Sequence, residues 1–247
     1  MAPGRRPLCL ADWRGLRWRC KKYPQMVTTM RFVRSWFAAA LAALACLGLP
    51  AVVDTMAQDH VDAADFARPT RHFRVPNPAR LSDADALSIY DRIREDMVSA
   101  YRLSRNPVAD RYYTWRRYNR VPYLSANHGD RYVNNFANAA ASTYGPGAGP
   151  MPAGAVLAKD SFTVTRRGDV FTAPLFLMEK MPSGFSAESR DWRYTMIMPD
   201  GSLFGTTHGQ GSERVEFCAT CHATAGDSVD HLFFVPETYR VQFLQLD

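Results

Sequence analysis

The sequence predicts an α+β fold, an antiparallel β-sheet meander with flanking helices. Three observations predict it. Residues 82–103 carry apolar side chains at helical spacing. Beyond residue 154 the period shifts toward two, in segments rich in β-formers. Short turns join those segments in series, as an antiparallel sheet allows.

The chain has 247 residues, read as a leader over 1–57, a linker over 58–81 and a domain over 82–247. Within the leader, residues 30–57 read as a secretory signal. Arg31 and Arg34 give the positive start, residues 36–49 are an unbroken apolar run, and Thr55-Met56-Ala57 offers small residues where a signal peptidase reads. The mature protein is expected to begin near Gln58, in the periplasm. An uncleaved membrane anchor is the alternative, because counting on to Val53 extends the run to 18 residues. Residues 1–29 show no folding pattern, and Met30 is an alternative start.

Removal of the leader changes the meaning of the charge. The formal net charge is +6 for the whole chain. From Gln58 onward, 19 Arg and 2 Lys face 16 Asp and 6 Glu, a net of −1. The positive excess is discarded on export, so it gives no reason for nucleic-acid binding. Residues 102–120 interleave six arginines with Tyr112, Tyr113, Trp115 and Tyr118. On an exported protein this is a solvated, aromatic-lined loop, with docking of an acidic partner, or contacts to the propionates of a bound cofactor, as the alternatives.

The elements follow in order. Residues 58–80 are polar, with Pro69, Pro76 and Pro78, and read as a linker or extended arm. Ser82 caps a helix whose buried stripe is Leu87, Tyr90, Ile93, Met97 and Tyr101. Asp83 and Asp85 suit the positive end of its dipole. A second helix is expected over 129–142, capped by Asn127, with Tyr132, Phe136, Ala139 and Ala140 on its apolar face. Residues 144–154 hold four glycines and three prolines and form a loop. Strands are expected over 155–165, over 170–181 with an interruption at Pro174, and over 192–198. Pro199-Asp200-Gly201 then turns into a hairpin partner over 202–206.

Cysteine usage points to the chemistry. After export two cysteines remain, in Cys218-Ala219-Thr220-Cys221-His222. This is the C-x-x-C-H pattern of c-type haem attachment. One helical turn places both sulfurs toward the two vinyl groups on one porphyrin edge. The next residue then brings its imidazole to the iron. A structural zinc site would need two more ligands at matching spacing, and no second cysteine pair exists. The expected cofactor is therefore one covalently bound haem c, held by Cys218 and Cys221, with its iron ligated by His222.

The chain resembles the cytochrome P-460 family, which includes cytochrome c′-beta. The resemblance spans roughly residues 97–236. It rests on the shared order of Tyr113-Thr114-Trp115, Asp130-Arg131-Tyr132-Val133-Asn134, residues 154–160, Leu177-Met178-Glu179-Lys180, Trp192-Arg193-Tyr194, Pro199-Asp200-Gly201, the C-x-x-C-H and Asp230-His231-Leu232-Phe233. It implies a mainly antiparallel sheet with flanking helices, commonly a homodimer, and a five-coordinate haem with an open distal face. Members of the P-460 type oxidise hydroxylamine and bear a lysine linked to the porphyrin rim. The c′-beta type lacks that link and binds nitric oxide at an apolar distal face.

Lys159 matches the linking lysine by position. A link needs an amine that can lose its proton, which lysine can do and arginine practically cannot. The alternative is a solvated strand residue. Lys180 is a second candidate, with a surface charge pair to Glu179 as its alternative role. Arg131 matches a family arginine near the haem, to pair with a propionate or donate at the distal face. Hydroxylamine oxidation also wants a distal base. The stretch before the haem motif offers Glu213 or His208 in place of the family's carboxylate. His60, His72, His128, His208, His231, Met178 and Met196 are all candidates for a sixth iron ligand, and no spacing selects one. The expected partners are a small nitrogen-oxide ligand or substrate and a soluble redox protein. The two functional expectations are an oxidoreductase acting on hydroxylamine or nitric oxide, and a nitric-oxide-binding cytochrome without turnover. Simple electron transfer is a third.

Overall fold

The computed structural model describes residues 67–242. The readings of the leader, the signal and His60 lie outside the described residues. Among the described residues no helix is long and apolar enough to cross a membrane.

Helix α1 is Asp83–Arg102. Ser82 caps it, its hydroxyl accepting from the Asp85 amide at 3.1 Å. Tyr90, Met97 and Tyr101 are buried as the spacing predicts. Ala86 and Val98 are buried with them, while Leu87 and Ile93 sit at the edge of the stripe.

Among the described residues eight antiparallel strands form one open sheet, giving a mixed α+β fold. They are β1 (Arg116–Arg117), β2 (Tyr123–Ser125), β3 (Arg131–Ala137), β4 (Val156–Val164), β5 (Val170–Thr172), β6 (Leu175–Lys180), β7 (Trp192–Ile197) and β8 (Leu203–Thr206). The order is β1-β3-β4-β6-β7-β8, with β2 also on β3 and β5 also on β4. Pro174 divides the expected strand over 170–181. It cannot donate to a ladder, so the chain bulges opposite Ser161, whose hydroxyl donates to the Pro174 carbonyl at 2.6 Å. Helix α2, Glu216–Ala223, carries the C-x-x-C-H.

The helix expected over 129–142 is instead strand β3, and this corrects the sequence reading. Six of its seven residues are buried, so no solvated face reveals a period. Tyr132 and Phe136 stand four apart, which satisfies a helix stripe and one face of a strand alike. Gly129 makes the entry turn at φ +77°, and a Cβ there would run into the Phe73 carbonyl and the Arg131 guanidinium. Ala139–Ala141 form only a 3₁₀ turn, capped by the Asn138 side chain. Strands β1 and β2 also went unseen in the sequence, being two and three residues long.

Strand pleating gives the sheet two different faces. Tyr132, Phe136, Ala158, Phe162, Leu175, Leu177 and Ile197 pack against α1. Val133, Ala137, Leu157, Met178 and Tyr194 face the other way, toward Cys218, Leu232 and Val235. Residues 67–81, read as a linker, are held to the domain. The Val75 amide donates to the Gly129 carbonyl and the Ala79 amide to the Val164 carbonyl, at 3.0 and 2.8 Å.

Under α1 lies a buried polar network. The Asp160 carboxylate, fully buried, accepts from the Tyr90 hydroxyl at 2.7 Å, the Asn134 amide at 2.9 Å and the Tyr112 hydroxyl at 3.3 Å. Burial raises its pKa to about 6 despite those three donors. A folded pKa above the unfolded value favours the native state below about pH 4 and stops doing so as pH rises through 6. Between those limits wild type should lose about 3 kcal/mol relative to Asp160→Asn. Urea melts of both proteins at pH 4 and pH 7 measure this, and a difference that does not change with pH contradicts it.

Candidate functional site

The site lies where α2 meets the sheet face opposite α1. Residues at i, i+3 and i+4 share a helix face, so Cys218, Cys221 and His222 open together onto one cavity. Both thiols are free. Burial, then the neighbouring Cys221, pushes the Cys218 thiol up to about 12. The cavity is open at its mouth and spans about 1340 Å³ when the solvent space of that mouth is included. Its far wall is sheet: Lys159 from β4, Phe176 and Met178 from β6, and Tyr194 and Met196 from β7.

His222 is held by its outer nitrogen. Nδ1 lies 2.9 Å from the His231 carbonyl. A carbonyl can only accept, so Nδ1 carries the proton and Nε2 keeps a free lone pair. The rings of Tyr194 and Phe233 stand 5.2 and 5.4 Å from the imidazole. Burial lowers the His222 pKa to about 4, so the ring is neutral at pH 7.

Lys159 is not a solvated strand residue. Pleating sends Asp160 toward α1 and Lys159 into the cavity, where β4 pairs it with Asn135 and Phe176. Its amine lies 3.3 Å from Nε2 of His128. Burial lowers the amine pKa to about 8.

Two histidines that spacing did not select line the same cavity. His128 follows β2 in a 3₁₀ turn, and the residue 67–81 arm delivers His72. Their rings stack at 5.1 Å. His72 also meets Phe176 and Phe217 edge-on at 4.9 and 4.8 Å. Burial, reinforced by neighbouring cations, lowers His72 to about 3 and His128 well below its usual value. Both are neutral bases at pH 7. No local motif marks them in the sequence, since an arm and a turn 56 residues apart bring them together.

Arg131 and Glu213 are not placed in this cavity. Arg131 begins β3, and its Nη1 donates to the carbonyls of Phe73 and His128, both at 2.8 Å. It lines a second, smaller cavity beneath the arm. Glu213 sits in a 3₁₀ turn, half-exposed, 3.5 Å from the Arg214 guanidinium. His208 packs against Phe185 at 4.8 Å instead of facing α2. The expected Glu179–Lys180 surface pair is corrected: Glu179 pairs with Arg193 and Lys180 with buried Asp230, each at 2.7 Å. Adjacent strand residues point to opposite faces and cannot pair with each other.

Among the described residues no three His, Cys, Asp or Glu side chains cluster to hold a bare metal ion. No family model matches this chain, and no curated protein matches it.

The burial of the Lys159 amine beside His128 can be read by titration. In protein prepared without a cofactor, isotope-edited NMR of the lysine side chains should give Lys159 a midpoint near pH 8. A midpoint at the ordinary lysine value of about 10.4 contradicts its burial.

Proposed function

We propose that this chain is an exported mono-haem c-type cytochrome, acting as an oxidoreductase on hydroxylamine or nitric oxide, in line with its resemblance to the cytochrome P-460 family. The observation that carries the proposal is convergence. Cys218, Cys221, His222 and Lys159 come from a C-terminal helix and a central strand and open onto one cavity.

The residues present fit a haem. Two free thiols stand one helical turn apart beside a neutral imidazole whose lone pair is unused. The lining is largely aromatic and apolar, as a porphyrin face wants. The buried Tyr194 hydroxyl has no hydrogen-bond partner among the described residues, an unmet donor at the wall of the cavity. Cys218 and Cys221 would hold the group and His222 would ligate its iron. Bound there, haem would supply one-electron redox chemistry.

The chain's own residues supply the rest. Oxidation of hydroxylamine releases protons along with electrons. His128 Nε2 and His72 line the cavity as neutral bases that can take a proton. Lys159 is the nucleophilic amine nearest them, its pKa lowered to about 8; a bond from its neutral amine to a porphyrin rim carbon would replace a rim C–H, release two protons and pass two electrons to an added oxidant such as a peroxide. Phe176, Phe217, Met178 and Met196 exclude water. Electrons would leave to a soluble redox partner. The same apolar wall favours the second reading, nitric-oxide binding without turnover.

Visible spectra of the purified exported protein, with and without hydroxylamine, test this. Wild type should carry haem that cannot be extracted and should consume hydroxylamine. Lys159→Ala should keep the haem but lose the rim link, shifting the spectrum. His128→Phe should slow turnover about 100-fold. A colourless protein contradicts the proposal, and a haem protein inert toward hydroxylamine but binding nitric oxide selects the second reading.

A further inference from the structure

The carbonyl that holds His222 is itself held in an unfavourable backbone. It belongs to His231, at φ +60°, and the preceding Asp230 stands at φ +53°. Two successive non-glycine residues in the left-handed region persist only where the surroundings over-determine them. Here the surroundings are specific. The Asp230 carboxylate is fully buried and accepts from Lys180 Nζ at 2.7 and 2.9 Å and from the Met151 amide at 2.9 Å. Arg190 Nε adds a longer contact at 3.4 Å. The Asp230 carbonyl accepts from the Trp192 indole at 2.9 Å. Lys180 spends its remaining proton on the Arg190 carbonyl at 2.7 Å, and its ammonium stands 5.0 Å from the Trp192 ring. All three ammonium protons are therefore committed, so Lys180 is not the spare nucleophile that its position in the sequence allowed.

We infer that Lys180 and Asp230 are positioning residues: their buried ion pair fixes the His231 carbonyl against Nδ1 of His222 and so sets the orientation and donor strength of that imidazole. The inference rests on the haem reading above. A hydrogen bond at the outer nitrogen makes an imidazole a stronger donor to a metal. A stronger donor favours ferric over ferrous iron. Loosening the clamp would let the carbonyl drift, weaken the iron–histidine bond and raise the reduction potential. Asp227 meets His231 Nε2 at 2.9 Å and orients that side chain, while the His231 amide donates to the Gly226 carbonyl at 3.2 Å.

The test uses haem-loaded protein and two kinds of variant. Lys180→Met strands a buried carboxylate and risks the fold. The Lys180→Gln/Asp230→Asn double variant replaces the ion pair with a neutral amide pair of similar shape, and asparagine tolerates the left-handed backbone. Its ferrous iron–histidine stretching frequency, read by resonance Raman, should fall. Its ferric-to-ferrous ratio at a fixed potential should drop about tenfold, which is about 59 mV for one electron. Lys180→Arg, which keeps the cation, should stay close to wild type in both. A double variant with wild-type frequency and potential overturns this inference alone. A wild-type protein without haem overturns the proposed function and this inference with it.

Discussion

The two-residue period of the central strands is the constraint on which the rest of this domain depends. Successive side chains on β4 leave the sheet in opposite directions, so Asp160 and Lys159 are neighbours in sequence but belong to different chemistries. Asp160 closes a hydrogen-bonded core under α1. Lys159 enters the cavity beneath α2. A slip of one residue in the pairing of β3 with β4 would exchange them, placing an ammonium among the buried tyrosines and a carboxylate in the cavity. The Asn134–Asp160 and Asn119–Asn134 hydrogen bonds, each 2.9 Å, oppose that slip, because any other register leaves buried amides unpaired.

The same face supports the C-terminal segment. The Tyr144 hydroxyl donates to the Phe233 carbonyl at 2.8 Å and accepts from the Asn135 amide at 3.1 Å. Sheet, loop and C-terminal segment are thus tied together beside the cavity. Its electrostatics follow from burial. Three imidazoles that would be partly charged in water are held neutral, and the amine of Lys159 beside them has its pKa lowered to about 8. A cavity of uncharged bases, apolar walls and free thiols is the setting in which the proposed haem chemistry would work.

Much of this was legible from residue types, and the failures have physical causes. Ser82, Asp83 and Asp85 marked the start of α1 because a cap and a dipole are local. Pro199-Asp200-Gly201 marked the β7–β8 hairpin because turn chemistry is local too. Strand β3 was misread as a helix because a strand covered on both sides hides its period. The C-x-x-C-H displayed its three groups in one short segment. His72, His128 and the Lys180–Asp230 pair could not be displayed that way, since the contacts that define them join residues 50 or more positions apart. Position suggested Lys159, but only pleating shows why that lysine faces the cavity while Lys180 is spent on Asp230.

The central claim is that two sulfurs of α2 hold a porphyrin against this sheet face. Trypsin should release residues 215–240, which contain Cys218, Cys221 and His222 and no internal lysine or arginine. The direct measurement is the mass of that peptide, taken from protein matured alongside the cytochrome-assembly machinery. The account predicts that it carries one haem on both cysteines. Recovery of the unmodified peptide with two alkylatable thiols would contradict it.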